Sequence, residues 1–153
     1  MKCVLDTNIF DRLIDGDLEL DDFPANAEFF ATHIQINEIN NIPDAKRERR
    51  GQLLLKFAEL APKIVPPESM VWGAMLWGQM KWGDGAIYNA LKRDLDSCKV
   101  KENNANDALI AEVAIANNFT LITTDGDLAI VAKEHGCLVC YTPPDQWRSA
   151  VRG

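Results

Sequence analysis

Short apolar runs alternate with longer stretches of helical spacing along almost the whole of this 153-residue chain. The runs fall at 2–5, 28–32, 63–65, 120–123 and 138–141, each bounded by polar or turn-forming residues. Between them, Ile9, Phe10, Leu13 and Ile14 follow helical spacing, as do Leu53, Leu54, Phe57 and Leu60, and then Leu109, Ile110, Val113 and Ala114. Parallel strands need a crossover, and a helix is the usual one. The alternation therefore predicts an α/β fold with three layers, α/β/α, around a short, mostly parallel central sheet. With 47% hydrophobic residues and no internal boundary, a single domain over 1–153 is expected.

Local signals place the helix ends. Thr7 or Asn8 can cap the first helix and Gly16 stops it. The second helix is predicted to open at Gln35 and to break at Asn41 and Pro43, before a longer helix over 44–60. Further helices are expected over 86–95 and 106–116, and after Asp125 up to Gly136. The stretch at about 68–84 stands apart as an insertion. It repeats Met-x-Trp-Gly three times, at Met70, Met75 and Met80, with a five-residue step. Five residues turn an α-helix by about 500°, so the tryptophans would not share a face. Core or subunit interface is the favoured reading, ahead of aromatic platforms for RNA bases.

Composition removes several function classes. No apolar run approaches the roughly 18 residues of a membrane span, and the short N-terminal run does not read as a signal peptide, so a cytoplasmic address is expected. Cys137 and Cys140 form a C-x-x-C within a run that reads as a buried strand. With four cysteines and two histidines in all, core packing is preferred over a zinc or redox site. A net charge of −7 is unusual for a nucleic-acid enzyme. Bases nevertheless gather at Lys46, Arg47, Arg49 and Arg50, and at Lys92, Arg93, Lys99 and Lys101.

The acids carry the functional reading. In an open α/β sheet, sites form beyond the carboxyl ends of the strands. Asp6 and Asp125 each follow a strand directly. Asp107 opens a helix whose roughly 16 Å length is retraced by the next strand, which returns it to the same edge. Glu38, taken as lying in the first turn of the second helix, belongs there too. Capping accounts for Glu38 or Asp107 singly, and a turn accounts for Asp6 or Asp125. Convergence of four carboxylates is not explained that way. Such a cluster calls for a hard cation such as Mg²⁺, which suits phosphodiester hydrolysis, whereas zinc would want histidine or cysteine.

The motifs Leu5-Asp6-Thr7-Asn8, Ile34 to Glu38, Asn106-Asp107 to Ala111 and Leu121 to Asp125 resemble, in order and over roughly residues 2–142, those of the PIN-domain family, which includes the VapC-type toxins. The resemblance implies a metal-dependent ribonuclease using Mg²⁺ or Mn²⁺, with Asp6, Glu38 and Asp107 as metal ligands and Asp125 completing the site. It further implies Thr7, Asn8 and Thr124 as polar support, Asp127 as a second candidate for the fourth acid, an RNA substrate, a homodimer and, for a toxin, a protein antitoxin. Gln35 departs from the family pattern, where a threonine often precedes the helical Glu, and is a poorer N-cap. The alternatives are a non-catalytic PIN-like module that binds RNA or a partner and, less favoured, an acid-cluster phosphatase. The latter lacks a second acid two residues after Asp6.

Overall fold

The computed structural model describes residues 1–23, 25–60, 62–66 and 85–141, so the Met/Trp-rich insertion lies outside the described residues. Five strands form one sheet: β1 (Lys2–Leu5), β2 (Glu28–Ala31), β3 (Lys63–Ile64), β4 (Thr120–Thr123) and β5 (Leu138–Tyr141). Their order is β3-β2-β1-β4-β5 and every neighbouring pair is parallel. Six α-helices accompany them among the described residues: α1 (Thr7–Asp15), α2 (His33–Asn40), α3 (Arg47–Leu60), α4 (Ala86–Cys98), α5 (Asn104–Asn117) and α6 (Gly126–Glu134). Among the described residues no helix is long and apolar enough to cross a membrane.

The period-2 geometry of the strands sorts their side chains into two cores. Cys3, Leu5 and Ile122 face a layer containing Phe10, Leu13 and Leu53, while Val4, Phe30 and Leu121 face Leu91, Leu109, Leu128 and Val131. Burying each such side chain contributes roughly 1.5–3 kcal/mol. Helices α1 and α3 therefore cover one face of the sheet, and α4, α5 and α6 the other. This is the three-layer α/β/α arrangement expected from the sequence. Helix α5 is buried nearly all round, from Asp107 to Ala114, as befits a helix wedged between sheet and neighbouring helices.

Several boundaries differ from the sequence expectation. Asp6, rather than Thr7 or Asn8, caps α1, and Gly16 ends it in the left-handed region at φ 79°. Residues 44–60 split into a 3₁₀ turn (Asp44–Lys46) and α3, because Pro43 fixes the entry. Within α3, Leu53 is buried and Phe57 packs beside Phe10, but Leu54 is 37% exposed. Its position is rotated about 100° from Leu53, which takes it off the packed stripe. The run at 138–141 is an edge strand rather than a buried one, with Leu138 58% exposed. Cys137, just before it, is buried and Cys140 within it half-buried, and both are free thiols.

The largest correction concerns α2. It begins at His33, not Gln35, and Thr32 is its N-cap. The Thr32 hydroxyl accepts from the Ile34 amide, and the Gln35 side-chain oxygen accepts in return from the Thr32 amide at 2.8 Å. Gln35 is thus the third-position partner in a capping box. Its amide nitrogen also donates to the Leu5 carbonyl at 2.8 Å, tying the start of α2 to the end of β1.

Candidate carboxylate site

Strand order reverses direction between β1 and β4: the chain builds outward to β2 and β3 on one side, then returns to β4 and β5 on the other. Crossovers leave from opposite faces at such a point, so the carboxyl ends of β1 and β4 open onto a crevice. A cleft of about 340 Å³ lies there, lined by Asp6, Thr7, Asn8, Asp11, Glu38, Asn103, Asp107 and Asp125. The structure therefore brings together all four acids singled out in the sequence, along with Thr7 and Asn8.

Asp6 follows β1 and is only 4% exposed. The Thr7 amide donates to its Oδ1 at 2.7 Å, and the Thr123 hydroxyl donates to its Oδ2 at 2.7 Å. Asp107 is 5% exposed and lies in the first turn of α5. Its own amide is already bonded to the Asn103 carbonyl, and its carboxyl receives no hydrogen bond among the described residues. Burial pushes Asp107 up to about 8, reinforced by the charges of Asp6, Glu38 and Asp125 and opposed by Lys101. Burial likewise raises Asp6 to about 6, against the Thr123 hydrogen bond, which favours the ionised form.

Glu38 is the sixth residue of α2, near the helix end rather than in its first turn. Its reach into the cleft therefore owes nothing to the N-terminal dipole. Thr7 Oγ1 donates to Glu38 Oε2, and Asn106 Nδ2 donates to Oε1 at 2.9 Å. Asp125 is the N-cap of α6, and its Oδ1 accepts from the amides of Asp127 and Leu128 at 2.9 and 3.1 Å. Its Oδ2 faces Lys101 Nζ at 3.3 Å. The capping roles thus run opposite to expectation: the two post-strand acids are caps, and the two helical acids are not.

The supporting set also differs. Thr123, not Thr124, braces the site: it donates to Asp6 and accepts from the Asp125 amide at 3.0 Å. Two adjacent threonines give the sequence no way to tell which faces inward until the register of β4 is known. Asp127 does not line the cleft and pairs instead with Lys101 at 3.5 Å. Asn106 and Lys101 were not singled out as site residues. In the sequence Asn106 is only the neighbour of Asp107, and Lys101 is one base among several in a polar segment.

The lining offers carboxylate, amide and hydroxyl oxygens and, among its described residues, no histidine or cysteine, which suits a hard cation in kind. The Asn8 Oδ1, buried and without a hydrogen-bond partner among the described residues, is a further acceptor. Among the described residues no three acid, histidine or cysteine side chains are grouped so as to hold an ion as they stand. In this arrangement Lys101 supplies positive charge beside Asp125.

No family profile matches the chain, and no curated protein matches it. Solved structures do. A chain of the VapBC2 complex from Rickettsia felis, bound to a DNA fragment from its promoter, aligns over 92% of this chain and 98% of its own, at 21% identity and a TM-score of 0.55. A domain of a functionally unknown protein from Methanocaldococcus jannaschii aligns over 92% and 90%, at 19% identity and a TM-score of 0.48. FitAcB from Neisseria gonorrhoeae aligns over 92% and 97%, at 17% identity and a TM-score of 0.44. The likeness to the VapBC2 chain is one of fold: the three-layer arrangement that builds the cleft here recurs in that complex.

Proposed function

We propose that the chain is a divalent-metal-dependent ribonuclease that hydrolyses RNA phosphodiester bonds in the carboxylate cleft, as the toxin of a type II toxin–antitoxin pair. The observation that carries this reading is the meeting of Asp6 and Asp107, both nearly fully buried, at the topological switch point. Two buried acids side by side destabilise a fold unless something positive joins them. Asp6, Glu38, Asp107 and Asp125 would hold Mg²⁺ or Mn²⁺, which supplies Lewis acidity and activates water for attack at phosphorus.

The chain's own residues prepare the site. Thr123 and the Thr7 amide fix Asp6, while Thr7 and Asn106 fix Glu38, so that two acids are oriented before any ligand arrives. Asp107 would hold a cation as its carboxylate, so loading below its raised pKa would release a proton. Products with 5′-phosphate and 3′-hydroxyl ends are expected. The toxin reading draws on the motif resemblance and on the fold shared with a VapBC2 chain; a protein antitoxin, a homodimer and a cytoplasmic setting belong to it.

The test is cleavage of a mixed-sequence single-stranded RNA with Mn²⁺, with Mg²⁺ and with EDTA, alongside Asp6→Asn. Metal-dependent cutting absent from the variant is the expected result; equal cutting by the variant removes the site assignment. The antitoxin is tested by co-expression with the neighbouring reading frame, where failure to co-purify counts against it. One observation favours a second reading, a non-catalytic module: the acids are not grouped around a single point, and Lys101 already faces Asp125. A Mn²⁺ titration with no binding supports that module over the nuclease.

A further inference from the structure

Two cations serve acids of the cleft, and they are held in different ways. Arg49 of α3 meets Asp11 and Asp15 of α1 with all three guanidinium nitrogens, the contacts running from 2.5 to 3.2 Å. Four of its N–H groups are engaged, and its single charge is shared between Asp11, at the cleft wall, and Asp15. Lys101, just ahead of α5, straddles two carboxylates instead. Its Nζ lies 3.3 Å from Asp125 and 3.5 Å from Asp127, with the side chain 28% exposed. The other lysine pairs among the described residues settle on one partner: Lys56 with Glu59 at 2.7 Å, Lys92 with Asp96 at 2.6 Å and Lys63 with Glu28 at 3.0 Å. Asp125 does not need Lys101 to stay in place, since its Oδ1 already takes two backbone amides.

Charge gives this loose ammonium a task. Arg49 offsets only half the charge of Asp11 and Asp15, and the ionised Asp6, Glu38, Asp107 and Asp125 by themselves outweigh one divalent ion. A phosphodiester entering that field is repelled unless another cation meets it. Lys101 does not itself line the cleft, but it meets the lining residue Asp125 at 3.3 Å and its charge reaches Asp107. We propose that Lys101 binds a backbone phosphate of the RNA strand, with Asp127 as its positioning residue rather than as a cation ligand. The proposal rests on the nuclease reading of the cleft. A lysine is a compact point charge and a phosphate carries no base information, so the contact is independent of sequence.

The experiment compares wild type, Lys101→Met, Lys101→Arg and Asp127→Asn. Mn²⁺ affinity is measured with the metal alone, and binding of fluorescent single-stranded oligoribonucleotides is measured in Ca²⁺ at several salt concentrations. Lys101→Met is expected to keep Mn²⁺ affinity within about threefold and to bind every RNA about tenfold more weakly. Its log–log salt slope should be shallower by roughly 0.7–1. Lys101→Arg retains most of the affinity. Asp127→Asn keeps Mn²⁺ binding and weakens RNA binding by a smaller factor. Because Asp127→Asn leaves the lysine in place, it remains informative if Lys101→Met folds poorly. Unchanged RNA affinity and salt slope in Lys101→Met overturns the proposal, as does loss of Mn²⁺ binding in Asp127→Asn. Wild type that cuts RNA while Lys101→Met cuts with the same KM removes the contact and leaves the nuclease. Wild type that binds RNA through Lys101 but never cuts leaves the contact and removes the nuclease. Wild type that binds neither Mn²⁺ nor RNA overturns both.

Discussion

Asp107 and Asp125 line the same cleft, and the protein treats them in opposite ways. Asp125 stands just outside α6, where unbonded amides of the first turn point at it and two of them donate to its carboxylate. Asp107 stands inside α5, one turn further on, where the backbone has already spent its donors on its own carbonyls. The rim acid is satisfied by the fold and by Lys101; the floor acid is buried with no hydrogen bond among the described residues and is raised to about 8. Asp6 lies between these cases, buried like Asp107 yet gripped by Thr7 and Thr123. An acid that the fold stabilises anyway is weak evidence for a ligand. An acid that the fold strains to keep is stronger evidence, because its burial is otherwise an unrepaid loss.

The sharpest way to break this contrast is Asp107→Asn. Cleavage rates should fall about 10³-fold or more, while the metal-free protein melts at a higher temperature than wild type, since an amide escapes the desolvation cost of a carboxylate. Asp125→Asn should instead lower the melting temperature, because a weaker cap replaces a good one. If both substitutions destabilise alike, the floor–rim distinction is wrong.

The pH dependence comes next in size. Asp6 and Asp107 have folded pKa values raised to about 6 and about 8, from 3.8. At these two acids the native state holds more protons than the unfolded chain, so their contribution to metal-free stability is fully present below about pH 4 and declines as pH rises through 6 and 8. The loss is on the order of a few kcal/mol. Chemical denaturation across this range tests it, and Asp107→Asn should remove the upper part of the decline. Mn²⁺ should raise the melting temperature more at pH 8 than at pH 5.5, because protons compete with it at the lower pH.

Smaller effects separate orientation from fold. Asn106→Ala leaves Glu38 held by Thr7 alone and should lower Mn²⁺ affinity about 10- to 100-fold with little change in stability. Thr32→Ala removes the α2 cap and should cost about 1 kcal/mol in denaturant unfolding. Its effect on cleavage should stay small if Gln35 still ties α2 to Leu5, and kinetics on the folded variant would show whether that tie suffices.

Much of this was legible in the chain itself. Short apolar runs alternating with helical periodicity specify a layered α/β fold, because each run has to bury two faces and each helix one. Acids placed one residue after β1 and two after β4 had to reach the carboxyl edge, whatever the packing. Helix ends were harder to read. Thr32 continues the apolar run of β2 in sequence yet is the cap of α2, which makes Gln35 the third helical residue and puts Glu38 near the far end. One misplaced boundary moved two roles.

The order of residues sets a repertoire: which positions are acids, which periods they follow and which edge of a parallel sheet they can reach. Tertiary structure alone decided how each acid is met. Sequence carries no measure of whether a carboxylate will face amides, a threonine hydroxyl, an ammonium or nothing. Those partners come from elements far apart in the chain, Thr123 for Asp6 and Asn106 for Glu38. Proximity of this kind exists only once the sheet order has placed β1 beside β4, since desolvation and charge act through space rather than along the backbone.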